Sequence, residues 1–177
     1  MTDAGMVQGL IRDVPDFPEP GIVYKDITPL LADPVGFDAA VHAMADPWIG
    51  AGVDLVIGIE ARGFLFGATL ARQLGLGFVP LRKPGKLPFT TSSVDYGLEY
   101  GTDTLEMHTD AIAAGQRVVV IDDVLATGGT AAAAGELVDR HGGSLAGFGF
   151  LLEIEALGGR RRLGGARIES LILVAAG

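Results

Sequence analysis

The sequence has no cysteine. That excludes disulfides, thiolate nucleophiles and cysteine-based zinc sites, and it fits a cytoplasmic protein. Basic excess is also missing: 13 Lys and Arg stand against 22 Asp and Glu, a formal net charge of -9. Such a balance argues against nonspecific nucleic-acid binding, although a local basic cluster can still serve a small anion. There is no apolar run of about 18 uncharged residues, so no membrane span is expected. The N-terminus has no basic flank, apolar stretch and small-residue cleavage site, so no signal peptide is expected. No internal repeat is present. His42, His108 and His141 lie too far apart for metal-ligand spacing and read as structural or solvated.

What is present is a chain of 177 residues, 49% of them apolar, enough for one domain with a sizeable core. Its 27 glycines fall mostly at segment ends, where turns and close approaches need them. Up to Asp33, with Pro15, Pro18, Pro20 and Pro29, the chain reads as extended and irregular apart from one short strand at 22–25. Asp33-Pro34 offers an N-cap and a first-turn proline for a helix ending at Ala45 or Trp48. Strands are expected at 54–59, 77–81, 117–122, 145–152 and 171–174, with strand-like pieces at 95–100 and 104–108. Residues 63–74 read as a well-buried helix. Ala131, Ala134, Leu137, Val138 and His141 have helical spacing, with Gly142-Gly143 as the stop. Residues 83–93 form the clearest long loop, and 158–165 a solvated loop or helix edge. The alternation indicates an α/β fold with a central, mostly parallel sheet flanked by helices on both faces.

The chemistry concentrates in residues 118–131, VVVIDDVLATGGTA. Asp122 and Asp123 are expected at the C-terminal end of a central strand, with the side chains of Asp123 and Thr127 at a solvent-facing strand end and turn outside the core, and ligands of open α/β sheets bind beyond such ends. Ala126-Thr127-Gly128-Gly129-Thr130 then leads into a helix. Small residues let backbone N–H groups approach an anion, the helix N-terminus adds positive potential, and the threonines add hydroxyl donors. Carboxylates accept hydrogen bonds from vicinal hydroxyls. The segment therefore suits a sugar phosphate, with the diol on the acids and the phosphate in the Gly-Thr turn. The plain alternative is a capped strand-turn-helix with an acidic surface pair. Competing phosphate motifs fail. No G-x-G-x-x-G follows a strand, and around Gly85-Lys86 a P-loop would need Gly at Pro80 and Ser or Thr at Leu87.

On this string the chain resembles the type I phosphoribosyltransferase family. The resemblance implies that Asp122 and Asp123 face the ribose 2- and 3-hydroxyls and that residues 126–130 wrap the 5-phosphate of phosphoribosyl pyrophosphate (PRPP). Residues 16–28 (DFPEPGIVYKDIT), 60–67 (EARGFLFG) and 82–101 (RKPGKLP through LEYG) resemble the adenine-using members, and the match covers most of residues 15–155. It implies one domain over 1–177, with a base-binding hood to residue 33 and a core from 34 carrying a flexible loop at about 83–100. The implied reaction is adenine plus PRPP to AMP plus pyrophosphate, in purine salvage. Mg²⁺ is the implied cofactor, held mainly by substrate and water, and the implied assembly is a cytoplasmic homodimer.

The resemblance also implies roles. Val23, Tyr24 and Lys25 would frame adenine. A strand answers its N6 donor and N1 acceptor with one carbonyl and one N–H, and Tyr24 can stack on the ring. The family commonly has Phe and Arg where this chain has Tyr24 and Lys25. Ile154 would close the other purine face. Arg62 would lie near the adenine pocket, in a pyrophosphate loop where the family often has a strained or cis peptide, here Glu60-Ala61 or a neighbour. Arg82, Lys83 and Lys86 form a cation cluster suited to pyrophosphate, with Arg82 and Lys83 reaching a neighbouring subunit's site. Glu99 would approach N7 of adenine and Tyr100 would help close the loop, which makes Glu99 and Arg62 the candidate catalytic residues. An oxocarbenium-like transition state needs water excluded, and residues 83–100 could be the lid. Three rivals are weaker. A same-fold enzyme for xanthine, hypoxanthine or orotate conflicts with the base-binding segments. A PRPP-sensing regulator needs a DNA-binding face, and a plain nucleotide-binding module needs the missing motifs.

Overall fold

The chain falls into two units, Met1–Ala43 and Met44–Gly177, and the computed structural model describes residues 3–97 and 101–175 of it. The first unit holds helix α1 (Asp3–Gly9), an antiparallel hairpin of β1 (Arg12–Pro15) and β2 (Val23–Asp26), helix α2 (Thr28–Ala32) and most of helix α3 (Pro34–Ala45). Of the elements before Asp33, only β2 is expected from the sequence. Helix α1 is too short to show a full amphipathic repeat, β1 is largely polar, and α2 is a short helix opened by Pro29. The Asp33-Pro34 signal works as read: the Asp33 carboxylate accepts from the N–H groups of Val35 at 3.1 Å and Gly36 at 2.7 Å, satisfying donors that a helix start leaves free.

From Leu55 onward the elements are β3 (Leu55–Ile59), α4 (Gly63–Leu74), β4 (Gly77–Leu81), β5 (Thr91–Gly97), β6 (Thr102–His108), β7 (Arg117–Leu125), α5 (Gly129–Arg140), β8 (Ser144–Ile154), α6 (Gly159–Arg162) and β9 (Ile168–Val174). A five-stranded parallel sheet runs in the order β4-β3-β7-β8-β9, and β5 and β6 form a separate antiparallel hairpin. Val118, Val119, Val120 and Ile121 in the middle strand are fully buried, as β-branched side chains covered on both faces should be. Each such burial stabilises by about 1.5–3 kcal/mol relative to exposure.

Strand β3 crosses through α4 to β4 on one side, and β7 crosses through α5 to β8 on the other. Right-handed crossovers in opposite directions place α4 and α5 on opposite faces. The gap between β3 and β7 is then the switch point, beyond whose C-terminal strand ends α/β sheets bind ligands. Ile57, Val120 and Phe148 share one apolar cluster with Ala134 and Leu137 of α5. On the α4 side, a methyl on Gly67 would lie 3.1 Å from the Gly58 Cα, so helix and strand touch backbone to backbone.

Two boundaries need correction. Thr91, Ser92 and Ser93 belong to β5, whose buried Val94 and Tyr96 alternate with exposed neighbours, so the loop ends at residue 90 rather than 93. Strand β7 continues past the acid pair to Leu125, because it stays paired with β8 through Leu125↔Glu153. Among the described residues no helix is long and apolar enough to cross a membrane.

Candidate active site

The segments that follow β3 and β7 meet at the switch point. Arg62, at the start of α4, places Nε 2.8 Å from Oδ2 of Asp123. The preceding Glu60-Ala61 peptide is cis, one of the candidates in the loop where such a bond is expected. Asp123 is only 4% exposed, which corrects the expectation of a side chain outside the core: the extension of β7 draws the acids into the paired part of the strand. Asp122 Oδ1 accepts from the Asp123 N–H at 2.9 Å. Burial, and then the adjacent Asp123 charge, push the Asp122 carboxyl well above the ordinary Asp value. Burial also raises Asp123, against the opposing pull of Arg62. A methyl on Gly63 would sit 2.7 Å from Asp122 Oδ1, so a glycine there lets α4 begin directly against the acid pair.

Next comes the turn of Ala126, Thr127, Gly128, Gly129 and Thr130. Gly128 has a φ of 81° and stands at the N-cap of α5, where no side-chain oxygen caps the helix. The left-handed conformation explains a glycine, and the uncapped N–H groups favour an anion. A recess of about 60 Å³ lies over Asp122, these turn residues and Phe150. Two backbones press on the turn from behind. A methyl on Gly129 would lie 3.0 Å from the Gly97 carbonyl oxygen, and one on Gly128 would lie 2.7 Å from that of Gly159. The 158–165 segment is therefore not simply a solvated edge: Gly159 is buried at the start of α6, against the turn.

The cations at the end of β4 converge on a carboxylate not among the expected site residues, Glu60. Arg82 Nε and Nη2 reach its carboxylate at 3.2 and 3.4 Å, the Lys83 N–H donates to it at 2.9 Å, and Lys86 Nζ also donates to it. Burial resists the Glu60 charge, but the Lys86, Lys83 and Arg82 hydrogen bonds outweigh it and hold its pKa at about 2. Lys83 Nζ donates to Tyr96 Oη at 2.6 Å and to Asp103. Burial opposes the Lys83 charge, yet these two partners raise its pKa. Glu60, Tyr96 and Asp103 lie far in sequence from the cations they hold. The unbalanced cation run and the alternation of β5 are the only signals that point toward them.

The other candidates lie on separate elements. In the first unit, β2 carries Val23, Tyr24 and Lys25. Tyr24 meets Phe17 edge to face at 5.2 Å, and Lys25 Nζ pairs with Asp13 at 2.6 Å. Ile154 ends β8, partly buried and paired with Val174. Glu99 and Tyr100 lie outside the described residues. A larger recess of about 420 Å³ lies near the opposite strand ends, around Trp48, Gly52, Gln73 and Leu76, with no ionisable lining. The smaller recess is lined by a carboxylate, Asp122. Among the described residues no three His, Asp or Glu side chains form a metal cage.

Residues 38–162 match the model of the family described as the phosphoribosyl transferase domain. A protein of Acidothermus cellulolyticus named adenine phosphoribosyltransferase is 56% identical over 169 residues, 96% of this chain and 96% of that protein. The crystal structure of adenine phosphoribosyltransferase from Thermoanaerobacter pseudethanolicus is 51% identical with a TM-score of 0.94, covering 97% of this chain and 99% of that one. The enzyme of that name from Saccharomyces cerevisiae, complexed with an imino-altritol bisphosphate and adenine, gives a TM-score of 0.91 at 40% identity, covering 96% of this chain and 98% of that one.

Proposed function

The chain belongs to the adenine phosphoribosyltransferase family, and from that premise we propose how its residues divide the work of joining adenine to PRPP, with AMP and pyrophosphate as products. The observation that carries the assignment of roles is an acid pair and a glycine turn opening a helix at the switch point, with a cation cluster held by Glu60 past the ends of the neighbouring strands β4 and β3. PRPP has three matching parts. Asp122 and Asp123 accept from the ribose diol. Residues 126–130 donate backbone and hydroxyl hydrogens to the 5-phosphate. Arg82, Lys83 and Lys86 take the pyrophosphate, and Arg62 steadies charge between it and the base.

In the hood, the β2 backbone offers one carbonyl and one N–H to adenine, with Tyr24 against the ring and Lys25 beside it. Ile154 adds an apolar purine contact. Glu99 steadies N7 as N9 attacks C1, and Tyr100 helps to close the loop over the reacting atoms. Asp122 and Asp123 are the carboxylates here that would answer the charge of a Mg²⁺ ion brought in with the substrate, and such an ion would offset the charge of the departing pyrophosphate. The working form is a cytoplasmic homodimer, and the pyrophosphate that Arg82 and Lys83 take is the one in the partner's site, not the one over their own acid pair.

The test is a PRPP-dependent assay with adenine, hypoxanthine, guanine and orotate, with and without Mg²⁺. Adenine should exceed hypoxanthine in kcat/KM by about 10⁴, because a 6-oxo base sets an acceptor against a carbonyl and leaves buried polar groups unpaired. Comparable turnover of both bases would overturn the roles given to Val23 and Lys25.

A further inference from the structure

Beyond the residues that face the substrate, one ion pair between a buried carboxylate and a half-exposed arginine has no part in the scheme above. Glu153, next to last in the apolar strand β8, is 5% exposed. It accepts from Arg160 Nε at 2.9 Å and Nη2 at 2.6 Å, and from Ser170 Oγ at 2.7 Å. Arg160 also donates to the Ile168 carbonyl at 3.3 Å. The Arg160 hydrogen bonds hold the Glu153 carboxyl below its usual range. A carboxylate among Phe150, Leu151 and Leu152 costs desolvation unless it is fully satisfied, and here it is satisfied by a fork from α6 and a hydroxyl from β9.

The pair anchors the residue that backs the phosphate turn. Gly159 immediately precedes Arg160. A methyl on Gly159 would stand 2.3 Å from the Ala126 carbonyl oxygen and 3.1 Å from the Gly128 nitrogen. The start of α6 is thus packed against the turn with no room for a side chain, and Arg160 ties α6 to the sheet through Glu153. The turn has no capping side chain, so its shape depends on what is packed behind it.

We propose that Glu153 and Arg160 are positioning residues: through Gly159 they hold the Ala126–Gly129 backbone in the shape that receives the 5-phosphate. The proposal rests on the reading of that turn as the phosphate site. It predicts a loss specific to the ribose-phosphate side of the reaction, distinct from a general loss of stability.

The experiment compares Arg160→Gln, Arg160→Lys, Glu153→Gln and Gly159→Ala with the unaltered protein, using steady-state kinetics and calorimetric titration with ribose 5-phosphate. Arg160→Gln and Gly159→Ala should raise the PRPP KM and the ribose 5-phosphate Kd about tenfold or more, with the adenine KM changed by less than about twofold. Arg160→Lys should recover part of the loss, since an ammonium can still reach Glu153. If Arg160→Gln does not fold, Glu153→Gln, which keeps its shape and an acceptor for Ser170, reports on the same link. An unchanged ribose 5-phosphate Kd in folded Arg160→Gln or Glu153→Gln overturns the proposal, as does a parallel rise in the adenine KM. Thr127→Ala separates the two readings. If it weakens ribose 5-phosphate binding while the pair variants do not, only the positioning role falls. If it too has no effect, the turn is not the phosphate site and both fall.

Discussion

Arg62 Nε and Asp123 Oδ2, 2.8 Å apart, join the segment after β3 to the acid pair of β7. The acid is almost fully covered and the arginine is about one-third exposed, at 6% and 37% of their side-chain surfaces, so the pair guards a buried charge from one side.

Arg62→Ala should leave Asp123 covered without its counter-charge. Burial already raises that carboxyl and Arg62 opposes the rise, so removing Arg62 raises it further. The acid limb of the pH profile for kcat/KM with PRPP should then move to higher pH. At neutral pH the loss should be on the order of 100-fold. A profile of unchanged shape would show that the pair does not govern the ionisation of Asp123.

Asp122→Asn should trade activity for stability. The folded-state value of Asp122 is raised by burial and by Asp123, so ionising it costs stability as pH climbs above the unfolded-state value. Asn removes that cost and keeps an oxygen to accept the Asp123 N–H. The melting temperature near pH 7 should rise by about 2–4 °C, with the gain shrinking toward pH 4, while PRPP use collapses. A lower melting temperature at neutral pH would mean that the carboxylate stabilises this site.

Glu60 has the opposite sign. Its folded-state value of about 2 lies below the ordinary 4.5, so its contribution is fully present above 4.5 and is lost as pH falls toward 2. Glu60→Gln should therefore melt lower than the unaltered protein at pH 7, with the two curves converging as the medium is acidified. A gap that persists undiminished at pH 2 would assign the effect to packing instead of charge.

Arg82→Ala and Asp123→Ala, each crippled as a homodimer, test the shared site. If Arg82 serves the partner, a mixed dimer has one site with both residues intact and one with neither. Random exchange should then restore about a quarter of full activity. If Arg82 serves its own chain, every mixed site lacks one residue and mixing restores nothing. Copurification of differently tagged chains is the control for exchange.

Local chemistry made most of the core legible. The Val118–Ile121 run, the Asp33-Pro34 helix start and the apolar 63–74 segment correspond to a central strand and two helices, because each signal is contained within a few residues. The acid pair and glycine turn were legible for the same reason. The cover over Asp123 was not, since it depends on where β7 stops pairing with β8. The partners of the cations were hidden for a related reason. Glu60 lies 22 residues from Arg82, and Asp103 lies 20 from Lys83, and only the parallel register of β3 with β4 and the fold-back of β6 bring them together. Glu153 left a fainter trace, a single acid closing the apolar run FGFLL, which hints at a buried partner without naming Arg160.

If the cation cluster takes an anion as proposed, Glu60 makes the exchange one anion for another. Its carboxylate holds Arg82, Lys86 and the Lys83 N–H before any other anion arrives. A newcomer that takes those donors must evict a resident that is covalently tethered and cannot diffuse away. The attraction gained is the difference between two anions, not the full pull of uncovered cations. Added salt, which screens both anions, should therefore weaken such binding less steeply than the number of cations suggests. The evicted carboxylate remains close by, ready to return when the visitor leaves.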